Sequence, residues 1–202
     1  MAAFITRYCK IRQLTLKEGD RTIFHASTTL DDFSEQAFRF LNIQYPKFYK
    51  MDPMSKLGIL AADTLLQGTR VGSQPAESVA VVLSNAHASL DTDRRYFESL
   101  RTIPSPALFV YTLSNIVTGE ICIRYGFKGE NAFFVTEAFE PNTMAQYVDN
   151  VLAQPNTTTC LAGWVDVLGE QHDVFLYLVE KSTSDPQARP HDADTIEKLY
   201  LS

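Results

Sequence analysis

Apolar runs along this chain are short, and their spacing changes from one segment to the next. Residues 3–11 are β-rich, and residues 14–16 and 22–24 flank Lys17-Glu18-Gly19-Asp20, a turn of the glycine type. The first 26 residues therefore read as strands. Asp31 or Ser34 is placed to cap a short helix that runs to about Leu41. Asp52 followed by Pro53 starts a second helix: a side-chain acceptor, then a residue with no N–H to satisfy. Leu57, Leu60, Ala61, Thr64 and Leu65 follow at helical spacing, and Gly68 ends the run. Residues 78–83 are continuously apolar, as in a strand covered on both faces. After a polar break at 85–89, residues 91–100 read as a short helix with a charged face. Beyond Pro104 and Pro106, residues 108–124 read as one long apolar helix, buried all round, with Gly119 permitting close backbone approach. Gly126 and Gly129 bracket a turn before a buried strand at 132–135. A helix at 142–153 and a strand at 158–168 follow. Gly169-Glu170 turns the chain into a returning strand at 173–179. Residues 182–195 are rich in Ser, Asp, Pro and Ala and read as a loose surface segment. Residues 195–201 form a last short helix or strand.

Strands alternating with helices predict an α/β fold. The expectation is a mostly parallel five-stranded mixed sheet, helices on both faces, and a C-terminal antiparallel strand. Residues 1–181 make the domain and 182–202 a polar C-terminal tail. A chain of 202 residues is one domain on size and can bury a core without disulfides or metal. Hydrophobic residues at 45% and charged residues at 21% argue against disorder. Eighteen basic against 24 acidic residues leave a net charge of −6, so no general basic field exists to collect nucleic acid, and only a local patch would. Cys9, Cys122 and Cys160 lie far apart with no CxxC pair, which fits a reduced, cytoplasmic chain. The N-terminus is a poor signal peptide, and no stretch of about 18 apolar residues predicts a membrane span. In such a compartment the Asn156-Thr157-Thr158 sequon carries no weight.

Candidate chemistry is sparse. Gly126-x-x-Gly129 precedes a strand rather than joining a strand to a helix, so it is a helix-ending turn and not a dinucleotide loop. His25, His87, His172 and His191 have no metal spacing, and neither a metal nor a cofactor is expected. His87 stands out, because its small-residue loop follows a buried strand, where open α/β sheets place ligands. Glu137 follows the 132–135 strand, where an apolar setting would suit a general acid or base. The cysteines read as core thiols, and no GxSxG elbow occurs.

Three ordered segments resemble the N-terminal half of a β-ketoacyl synthase, of the thiolase-like superfamily. They are residues 48–66 around Met51-Asp52-Pro53, residues 79–85, and residues 104–131, a Pro…Asn…Gly…Ile…Gly…Gly-x-Asn run. The resemblance covers residues 45–168 and extends to a strand at 174–180. In that family the strand after Gly-x-Asn leads to a Thr-Ala-Cys motif whose cysteine is acylated. Here Thr136 matches and the cysteine position falls at Ala138. A methyl group forms no thioester. The family's second half supplies two histidines for condensation, and this chain ends where that half would begin. The resemblance thus implies a non-catalytic synthase-like subunit, not a competent condensing acyltransferase. It would act with chains on acyl carrier protein in fatty-acid, polyketide or aryl-polyene-type synthesis. Its partners would be a second copy or another synthase-like chain, since paired synthases meet through the strand before the nucleophile, and a lone half exposes an apolar face. Two alternatives are a hydrolase or dehydratase of acyl thioesters using Glu137 and His87, and a structural or ligand-binding homodimer.

Overall fold

A computed structural model describes residues 3–202. The chain opens with β1 (Phe4–Arg12), which turns into β2 (Thr15–Glu18) and β3 (Arg21–His25). Helices α1 (Leu30–Phe40) and α2 (Pro53–Leu66) lead to β4 (Val79–Asn85). Then come α3 (Leu90–Ser99), α4 (Pro106–Val110), α5 (Ile116–Tyr125), β5 (Asn131–Val135) and α6 (Pro141–Ala153). Strands β6 (Thr159–Leu168) and β7 (Gln171–Glu180), the short β8 (Arg189–Pro190) and helix α7 (Ala193–Leu201) complete the fold.

The sheet runs β3-β2-β1-β7-β6-β4-β5, with β8 on the start of β1. The sequence led to a mostly parallel sheet of five strands, but the sheet has eight and is mostly antiparallel, because hairpins join β1 to β2, β2 to β3 and β6 to β7; β1, β7, β6, β4 and β5 form its mixed core. Strand β4 is parallel to β5 and β6, and β7 is antiparallel to both of its neighbours, β6 and β1. Four core strands therefore share one direction and β7 opposes them. The β2–β3 hairpin widens this core, because connections this short can join only antiparallel strands. Helices cover both faces. One hydrophobic cluster lies under α1, α2 and α5, and the other under α6 and α7.

Helix α2 is the pivot of the first face. Asp52 caps it by accepting the Ser55 N–H at 3.1 Å, with Pro53 in the first turn. Thirteen of its fourteen residues are buried, because α1 and α5 sandwich it against β1, β6 and β7. Burying Leu57, Ile59, Leu60 and Leu65 contributes about 1.5–3 kcal/mol each before chain entropy is counted. Gly58 is required at the α2–α5 crossing, since a Cβ there would stand 2.3 Å from Val117 Cγ2.

Several local expectations change. Thr29, not Asp31 or Ser34, caps α1, by accepting the Asp32 N–H at 3.2 Å. The long helix at 108–124 is two helices, because residues 111–115, with Thr112, Ser114 and Asn115, turn between α4 and α5. A Cβ on Gly119 would meet nothing, so that glycine makes no close approach. The strand at 132–135 is not buried but lies at a sheet edge, with Val135 53% exposed. The segment after residue 181 contributes β8 and α7, which buries His191, Ile196 and Leu199 against the sheet. Its alternation of Ser, Pro and Asp hides that packing, because only two apolar side chains of α7 are needed to dock it.

Candidate functional site

The sequence-predicted residues converge on the carboxyl ends of β4, β5 and β6. Asn85 ends β4, fully buried, and its amide closes the following loop: Oδ1 accepts the Ala88 N–H at 3.0 Å and Nδ2 donates to the Ala88 carbonyl at 2.9 Å. Ala88 takes a left-handed conformation, φ 49°, which small side chains tolerate best. The loop is tied to β5 by the Thr136 N–H, which donates to the Asn85 carbonyl at 3.0 Å. It is tied to the α4–α5 turn by Ser89 Oγ, which donates to the Thr112 carbonyl at 2.9 Å.

Asp166, on β6, anchors His87. Its Oδ1 accepts the N–H groups of Ala86 and His87, each at 3.0 Å, and its Oδ2 lies 2.8 Å from His87 Nδ1. A carboxylate that accepts three hydrogen bonds fixes both the loop and the imidazole orientation. His87 is about a third exposed. Sequence reasoning missed Asp166, because a carboxylate inside an apolar strand is a signal only once its neighbour 79 positions away is known.

Glu137 and Ala138 lie on the other side of β5's end, both exposed. No hydrogen bond joins Glu137 to His87 among the described residues, so the structure places them at the same end of the sheet without making them a pair. The loop itself is rigid: Thr136 Oγ1 donates to the Ala138 carbonyl at 2.8 Å. Phe139 turns inward onto the rings of Trp164, Phe175 and Tyr200, at 4.7–6.0 Å. The position that the resemblance assigns to a reactive sulfur is thus an exposed methyl on a fixed loop.

The three thiols lie elsewhere. Cys9 and Cys160 are fully buried in the sheet, and burial pushes both thiols far up. Cys122, half-buried on α5, is pushed up to about 11 by desolvation. A thiolate is the nucleophilic form, so none is activated at neutral pH. No group of three metal-ligating side chains occurs among the described residues, and no helix is long and apolar enough to cross a membrane.

The second feature at this end of the molecule is apolar. Eight of the eleven large hydrophobic residues that stand exposed among the described residues fall between Phe97 and Val135. They include Ile103 (82% exposed), Phe109 and Ile123. Helix α3 packs on α4, and α5, which carries Ile123, packs on β5. Strand β5 ends the sheet with an open edge. Glu130 accepts from Val81 and Thr136 donates to Asn85, so the even-numbered backbone groups pair with β4. Those of Asn131, Phe133 and Val135 point outward from the sheet.

No family model and no curated protein matches the chain. Solved structures do. A chain of the ishigamide ketosynthase/chain length factor superposes with a TM-score of 0.67 at 16% identity over 92% of this chain and 64% of that one. A chain of the ketosynthase ApeO in complex with its chain length factor ApeC, from Xenorhabdus doucetiae, gives 0.61 at 12% identity over 100% of this chain and 91% of that one. A β-ketoacyl synthase from Burkholderia phymatum gives 0.58 at 10% identity over 90% and 59%. This chain thus spans less than two thirds of the first and third. The order of its strands, its two helical layers and these superpositions give it the thiolase-like fold of ketosynthase and chain-length-factor chains.

Proposed function

We propose that this protein is a non-catalytic ketosynthase-like subunit that pairs, through the β5 edge and the apolar surface of α3–α5, with a ketosynthase chain carrying its own cysteine. The pair acts in the reducing cytoplasm on acyl chains borne by a carrier protein, in fatty-acid, polyketide or aryl-polyene-type synthesis. This subunit supports its partner and limits chain length. What supports the reading is Ala138: the resemblance puts the condensing cysteine at this position, where an exposed methyl stands, while every thiol of the chain is on another element. The open β5 edge adds the means of pairing, because unpaired strand edges are templates for another strand. The similar structures of a ketosynthase with a chain length factor supply the analogy.

Native mass spectrometry of the chain co-expressed with its organism's ketosynthase tests this. A one-to-one complex is expected. Val135→Pro removes an outward-facing N–H without touching the β4 ladder, and is expected to weaken that complex by at least roughly a hundredfold through lost edge pairing. A homodimer alone, or C–C bond formation by the isolated chain, would overturn the proposal.

A further inference from the structure

Away from that surface, the segment after β7 is held to the rest of the molecule by few contacts. Residues 182–188, Ser-Thr-Ser-Asp-Pro-Gln-Ala, supply no large apolar side chain and are mostly exposed. Strand β8 meets β1 through Arg189 and Pro190 alone, and proline has no N–H to give. Helix α7 buries Ile196 and Leu199, while Leu201 stands 70% exposed. A unit with so few anchors opens at a lower free energy than the core does.

His191 sits where β8 passes into α7. Its backbone N–H donates to the Ala3 carbonyl at 2.9 Å. Its side chain is wholly buried, with Nδ1 2.9 Å from Asp149 Oδ1 on α6. A carboxylate only accepts, so Nδ1 carries the proton and Nε2 is a bare acceptor. Nε2 has no hydrogen-bond partner among the described residues. Neither has the fully buried Tyr177 hydroxyl on β7, whose ring centre is 6.1 Å from that of the imidazole. The site therefore suits a neutral ring. A second proton would put an N–H where nothing accepts it.

The charges acting on the ring are those of Asp149 and of Asp192 beside it. Arg189 of β8 turns instead to the Tyr8 ring of β1, 5.5 Å away. Tyr177 on β7 and Cys160 on β6 are kept neutral by burial. Asp149 is half-exposed, so water weakens its hold on an imidazolium. Burial holds the His191 pKa below the ordinary imidazole value, outweighing the upward pull of both carboxylates. A released His191 thus takes its proton at a higher pH than a docked one. Docking is fully favoured above about pH 6.5 and weakens as the pH falls below it.

The far end of α7 reaches the loop that carries Ala138. The rings of Tyr200 and Phe139 lie 4.7 Å apart. Tyr200 is itself held by its hydroxyl, which donates to Asp173, and by Arg12 Nη1, which donates to its carbonyl at 2.7 Å.

We infer that β8 and α7 form a strap latched by His191, docked while the imidazole is neutral and released when mild acid charges it. Release takes the Tyr200 ring off Phe139 and loosens the loop at the end of β5. The latch stands on contacts of the second face and is independent of the proposed pairing.

Hydrogen–deuterium exchange of the full chain at about pH 7.5 and pH 5.5, corrected for the intrinsic rate, tests the inference. Exchange of α7 amides is expected to rise roughly three- to tenfold at the lower pH, since one pH unit below the free imidazole value allows at most about tenfold. Residues 136–139 are expected to follow, and α2, on the other face, to stay unchanged. His191→Phe cannot titrate and is expected to show no rise. Asp149→Asn keeps an acceptor for Nδ1 but removes the counter-charge, so its rise is expected to exceed the parent's. Asp149 is half-exposed and its amide variant keeps the fold, so the result does not hang on how His191→Phe packs. No rise in the parent chain, an equal rise in His191→Phe, or a rise in Asp149→Asn no larger than the parent's would undo the latch.

Discussion

The two edges of the sheet are built in opposite ways. At one, β3 carries Arg21 and His25 outward and is paired through an irregular register to β2. Charge and a bulge are usual means of keeping an edge from recruiting another strand. At the other, β5 reads Asn-Ala-Phe-Phe-Val with no charge, straight parallel pairing to β4 and a half-exposed valine at its end. Exposed Ile123 lies on α5, which packs on β5, while at the other edge the exposed Phe40 rests on Phe24 of β3 at 5.2 Å. The bare edge is the one that the proposed pairing uses.

The contrast can be broken from several directions. The largest effect is expected from Ile103→Asp with Phe109→Asp, which places two charges on the open side. Affinity for a ketosynthase partner, measured by interferometry, should fall roughly a hundredfold or more, as buried anchors carry most interface energy. Thermal stability should hardly move, because both residues are exposed. A smaller effect follows from Asp166→Asn, which strips the charge from the anchor of the loop beside β5. Replacing an acceptor of His87 Nδ1 by an amide donor should cost about 1–3 kcal/mol of stability, read as a lower melting temperature. His87→Ala should cost less, since it leaves the two backbone hydrogen bonds to Asp166 intact. The smallest effect is expected at the sealed edge. Arg21→Val with His25→Val removes its guarding charge, and sedimentation should then reveal weak, concentration-dependent self-association absent from the parent chain. If instead the parent chain already self-associates through β3, the contrast between the edges loses its meaning.

Much of this frame is legible in the chain itself. Continuous apolar runs placed β4, β6 and β7, and Asp52-Pro53 placed α2, because these signals are local: each depends on spacing within one element. The short polar turn at 111–115 was not legible, since Tyr111, Leu113 and Ile116 keep the apolar periodicity of one helix across a break. Nor was the exposure of β5, since an apolar strand looks alike at the centre of a sheet and at an edge awaiting a partner.

Sequence alone therefore settled the α/β class, the return of β7 against β6 and the residue type at position 138. These follow from periodicity and residue identity. Tertiary structure alone decided that Asp166 holds His87, that Lys10 faces Lys17 across the β1–β2 ladder, and that β5 is the unguarded edge. Each of those joins residues set by strand order and register, and register is fixed by packing across the whole sheet rather than by any segment's own pattern.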